Sequence, residues 1–97
     1  MEKKKVLFYA WKSIAKELTE KRAELKKLKE IVSSDRKELN TYLSFSHGFE
    51  DKIEHVRRQK LYPSLNRYRN LKAKVKELNL VCRELKSSYK HEIFGAN

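Results

Sequence analysis

Two glycines and one proline in 97 residues leave almost no turn chemistry, which excludes a fold of many short elements and predicts a few long helices. The single cysteine, Cys82, excludes an intrachain disulfide framework and fits a reducing compartment. The longest apolar run, residues 6–11, is far shorter than a membrane span or a signal-peptide core, so Lys3, Lys4 and Lys5 do not read as a secretory leader. Glu2 and Glu17 argue against a mitochondrial transit peptide, and the expected location is intracellular, cytoplasmic or nuclear. Acids are the other shortage: 13 stand against 24 Lys and Arg, a net charge of +11. Such an excess favours polyanionic partners, whether nucleic acid, acidic protein or anionic lipid.

What the sequence has in abundance is Ala, Glu, Lys, Leu and Arg, slightly over half of all residues, the composition of a long helix or coiled coil. Leu7, Trp11, Ile14, Leu18, Lys21, Leu25, Leu28, Val32, Asp35, Leu39 and Tyr42 recur in steps of four and three without a slip. This is a heptad seam, apolar at all positions but Lys21 and Asp35. It predicts one helix over residues 2–44. Ser33, Ser34 and Asp35 could cap a new helix with Glu38 as the reciprocal partner, but the unbroken phase favours continuity.

Residues 45–50 are the expected turn, with Gly48 supplying a left-handed helix end and nearby serines and acids available as caps. A second helical run over 51–94 follows an apolar pattern that starts at Phe49 in the turn and continues at Ile53 and Val56, then at Leu61, Tyr68, Leu71, Val75, Leu78, Cys82, Leu85 and Tyr89, with Ser64 in the one polar slot. The heptad phase changes between Val56 and Leu61. Pro63 removes a donor and disfavours helix at Tyr62, so a kink or break is expected at 62–63. Gly95 is the stop.

The expected fold is a single all-α domain over 1–97, a long antiparallel, coiled-coil-like helical hairpin centred on Gly48. That register sets Leu18 against Leu78, Leu25 against Leu71, and Lys4 against Glu92. The competing arrangement is a parallel homodimer through the first helix, supported by Glu17 with Arg22 and Glu24 with Lys29 at interhelical spacing. Two hairpins could also pack as a four-helix bundle, since one seam leaves Ile31, Leu65, Leu80 and Val81 uncovered.

No nucleophile constellation, Gly-rich phosphate loop or metal-ligand spacing occurs, and His47, His55 and His91 are scattered. No enzyme activity, cofactor or metal is expected. The basic residues are more informative: the stretch 57–76 holds eight of them and no acid. Arg69, Lys72, Lys76, Arg83, Lys86 and Lys90 recur at helical spacing, a stripe about 32 Å long at 1.5 Å per residue. Together with Arg57, Arg58, Lys60 and Arg67 they are the candidate polyanion contacts, against the alternative of a solvated face whose stems shield the seam. Phe8, Tyr9, Trp11, Tyr89, Ile93 and Phe94 are surplus to a two-helix seam and gather at one end, as an aromatic cluster or a protein-docking patch. Long basic helical hairpins resemble, in shape and composition only, the RNA-gripping arms of some tRNA synthetases and ribosome-associated factors, and equally small subunits of cytoskeletal or chromatin assemblies. The leading expectation is a non-enzymatic assembly or adaptor subunit that engages a protein partner or a second copy of itself. The alternative is a dedicated nucleic-acid-binding protein, with RNA favoured; a membrane is the least favoured surface.

Overall fold

The computed structural model describes residues 2–45 and 47–95; Ser46, inside the expected turn, and positions 1, 96 and 97 of the expected domain lie outside the described residues. The chain is an all-α helical hairpin, with no strand among the described residues. Helix α1 spans Lys3–Leu43 and α2 spans Glu50–His55; a π-helical stretch, Val56–Leu61, then leads into α3, Tyr62–Phe94.

Helix α1 runs through Ser33 and Ser34 without interruption, as the continuous phase requires. Every seam position named above is at least half-buried, including Lys21 and Asp35. Thr19 and Thr41 donate their hydroxyls to the carbonyls four residues back, Ala15 at 3.0 Å and Lys37 at 2.9 Å, so neither competes for a cap. At the C-terminal end the Ser44 N–H still reaches the Asn40 carbonyl at 3.0 Å, and the Phe45 N–H tightens onto Tyr42 at 3.2 Å.

Gly48 takes φ +94°, the left-handed conformation that glycine permits. Capping differs from expectation. Among the described residues no side chain caps the start of α2, and the Ser44 hydroxyl turns back to the Thr41 carbonyl at 2.6 Å. Glu50 instead accepts the Gly48 N–H at 3.2 Å, and with Asp51 it places negative charge at the positive end of α2.

The expected break near Pro63 is a π-helical stretch lying just before it. Val56 and Leu61 are five residues apart, and an α-helix would turn them about 140° from one another. The wider i→i+5 turn returns both to the core, where Val56 is 1% and Leu61 6% exposed. The Tyr62 N–H bonds the Arg57 carbonyl, five residues back. Tyr62 itself keeps helical angles, φ −63° and ψ −45°. The ladder has already shifted when the chain reaches Pro63, so the missing proline donor falls where regular i→i−4 bonding is suspended.

Two compact units make up the chain, residues 24–72 and residues 1–23 with 73–97. In the first, the turn unit, Val32, Leu39, Val56 and Leu61 form a buried cluster with Tyr42, Ile53, Leu65 and Tyr68 packed against it. Ser64, 3% exposed, donates from a position 3.0 Å from Asp35 Oδ2 and 3.0 Å from the Leu61 carbonyl. That bond accounts for the polar residue at seam position 35, because a buried hydroxyl and a half-buried carboxylate satisfy one another. Beside them, Lys60 Nζ sits 3.0 and 2.9 Å from the two Glu38 carboxylate oxygens.

Among the described residues of the terminal unit only Leu18 and Leu78 are buried, with Leu7, Trp11, Ile14, Val75, Cys82, Leu85 and Tyr89 half-buried around them. Arg22 donates to Asn79 Oδ1 at 3.2 Å. Lys3, rather than the expected Lys4, pairs with Glu92 at 3.1 Å. The difference is one residue of helix rotation at an exposed end, where a long side chain chooses among neighbours at little energetic difference.

Candidate polyanion and protein-docking surfaces

The π stretch and the start of α3 set the basic residues of the turn unit in two environments. Arg58 pairs with Glu54 one helical turn earlier, and Lys60 with Glu38 across the hairpin, so both cations already face carboxylates. The hydrogen bond to Glu38, helped by the charges of Glu38 and Asp35, raises the Lys60 pKa above the ordinary lysine value. Arg57 is half-buried. Arg67, Arg69 and Lys72 are exposed, and the Lys72 amine lies 5.9 Å from the centre of the Tyr68 ring.

In the terminal unit Lys76, Arg83, Lys86 and Lys90 are all exposed, and none has a carboxylate within ion-pair distance among the described residues. Their spacing of seven, three and four keeps them on one side of α3, away from the seam residues Leu78, Cys82, Leu85 and Tyr89. The sequence stripe is therefore an outward row of unneutralised charge here, whereas Arg58 and Lys60, also exposed, are paired with the protein's own carboxylates.

Aromatic rings gather in the same unit. Phe8 packs on Tyr9, Trp11 and Tyr89 at centroid distances of 5.7, 6.2 and 5.4 Å, and Trp11 lies 5.7 Å from Tyr89. The Lys12 amine sits 5.6 Å from the Phe8 ring and 5.3 Å from that of Trp11. Tyr9 remains 62% exposed, and a recess of about 170 Å³ opens between Lys4, Lys5, Phe8, Tyr9 and Tyr89. Phe94 stays out of this cluster, 80% exposed and without a ring partner among the described residues; Ile93 is also exposed. Four of the six expected docking residues thus form one cluster, and the last two extend beyond it.

A second feature is not singled out by sequence periodicity. A groove of about 250 Å³ in the turn unit is lined by Lys29, Val32, Ser33, Arg36, Leu65 and Tyr68. Lys29, Ser33 and Arg36 flank the seam of α1 in steps of four and three, so a search one position off the seam would have found them. No group of three His, Cys, Asp or Glu side chains suited to a metal ion occurs among the described residues. No helix among them is long and apolar enough to cross a membrane.

These features define an all-α helical hairpin with an outward basic row and an aromatic end. No protein-family model, curated protein or solved structure matches the chain.

Proposed function

We propose that this protein is a non-enzymatic assembly subunit, a helical hairpin that rests on a polyanionic surface and joins it to a protein partner. The observation that supports this reading best is the row Lys76, Arg83, Lys86 and Lys90, exposed and without carboxylate neighbours among the described residues. Four cations on one helix side can neutralise a row of phosphates, and release of the counterions condensed on the polyanion favours its binding. The half-exposed rings of Phe8, Tyr9, Trp11 and Tyr89 serve the protein partner, since large amphipathic side chains at modest burial suit an interface.

Reversing Lys76, Arg83, Lys86 and Lys90 to Glu is the direct test. Wild-type protein should bind a generic RNA in sedimentation at low salt and lose it steeply as salt rises; the variant should keep its helicity by circular dichroism and bind at least tenfold more weakly. Binding that is insensitive to both salt and charge reversal would rule the basic row out.

A further inference from the structure

We propose that the groove between Lys29, Ser33 and Arg36 of α1 and Leu65 and Tyr68 of α3 receives one unpaired nucleotide of a single-stranded nucleic acid. This deepens the polyanion reading above and rests on it.

The groove combines a firm apolar wall with a charged rim. Val32 belongs to the buried cluster, and Leu65 and Tyr68 pack against that cluster, so the wall is held by the core of the turn unit. Lys29 and Arg36 stand two helical turns apart, about 10.5 Å along the axis, with the Ser33 hydroxyl between them. Unlike Arg58 and Lys60, neither cation has an acid partner among the described residues. Asp35, the acid next to Arg36 in sequence, accepts the Ser64 hydroxyl instead.

A ligand that satisfies both parts needs a planar, weakly polar body and an adjoining anion. An unpaired base with its phosphate has that form: the base lies on Tyr68 and Leu65, and the phosphate meets Arg36 or Lys29 and the Ser33 hydroxyl. A duplex hides its bases and could touch only the rim. Arg67, Arg69 and Lys72, exposed on α3 of the same unit, offer contacts for neighbouring phosphates. An acidic peptide would use the rim cations but leave the tyrosine platform without a flat partner, so nucleic acid is favoured.

The test uses the full chain and a single-stranded dodecamer carrying 2-aminopurine, whose fluorescence falls when the base stacks. The double variant Lys29→Gln, Arg36→Gln is compared with Lys26→Gln, Lys27→Gln, which removes equal charge from exposed positions of α1 in the same unit. The groove variant should lose about tenfold in affinity, together with the stacking signal, while the control loses little of either. Equal losses in the two variants would overturn the subsite. So would displacement of the dodecamer by its duplex at equal concentration, or by polyglutamate with the same dependence on Lys29 and Arg36. If the wild-type chain binds no oligonucleotide at low salt, the polyanion reading itself fails and the subsite with it. If it binds and the two variants behave alike, only the subsite fails.

Discussion

The turn unit and the terminal unit are built from the same two helices and the same heptad logic, yet they spend their apolar residues differently. The turn unit closes four aliphatic side chains into a cluster and seals its one buried hydroxyl with Asp35. The terminal unit buries Leu18 and Leu78 fully and leaves its largest side chains, Trp11, Phe8 and Tyr89, half-exposed. Branched aliphatics fill the narrow space of a two-helix seam, whereas large rings cannot be enclosed by two helices alone. Stability should therefore concentrate in the turn unit, and the capacity to bind a protein in the terminal one.

The strongest way to break this comparison is to put a charge into the seam of each unit. Leu39→Lys in the turn unit should cost roughly 3–5 kcal/mol, a large part of the total stability of a small domain. Leu7→Lys, at a half-buried position of the terminal unit, should cost about 1 kcal/mol, since the ammonium can reach water. Chemical denaturation followed by circular dichroism compares the two. Similar losses would mean that the terminal seam bears as much load as the turn core.

A deletion pair sharpens the contrast at a smaller scale. Removing exposed Gln59 shortens the step from Val56 to Leu61 to four residues, the natural α-helical repeat, so the π stretch should become regular helix, at a cost of up to about 3 kcal/mol because Pro63 then meets an intact i→i−4 ladder. Removing Lys76 instead turns Leu78, Cys82, Leu85 and Tyr89 about 100° off the seam. Amide exchange should then show the terminal unit opened and the turn unit protected. Protection of both units after the Lys76 deletion would refute the register.

Much of this architecture was legible in residue spacing. The 4-3 steps of α1 marked its seam because a helix repeats every 3.6 residues, and the phase change between Val56 and Leu61 foretold an irregularity there. Sequence reasoning assigned that irregularity to Pro63, since proline is the familiar helix breaker. The π stretch arises from a geometric demand of two buried residues five apart, which only a packed core reveals. The groove was hidden for a similar reason: Lys29, Ser33 and Arg36 become neighbours of Leu65 and Tyr68 only once α1 and α3 are paired. Periodicity shows which face each residue occupies, but it does not show which cations acquire carboxylate partners. Arg58 and Lys60 read as equals of Arg67 and Arg69 in the sequence, and Glu54 and Glu38 set them apart.

The smallest expected effect concerns that last pair. The Lys60 pKa is raised in the folded protein by the hydrogen bond to Glu38, so this cation's contribution to stability is fully present below the ordinary lysine value and is lost as pH climbs through the raised one. The melting-temperature difference between wild type and Lys60→Gln should thus hold steady from neutral pH to about pH 10 and close above it. A difference that vanishes already at neutral pH would show that the pair adds nothing to the fold.

Trp11, the chain's only tryptophan, lies against Phe8 and Tyr89 in the less buried of the two units. Its emission is a built-in optical probe of that end: separation of the rings, or a partner covering them, changes the colour and yield of one fluorophore without any label. The tyrosines of the buried cluster, Tyr42 and Tyr68, belong to the other unit. Excitation selective for tryptophan therefore follows the aromatic end of the molecule separately from its core.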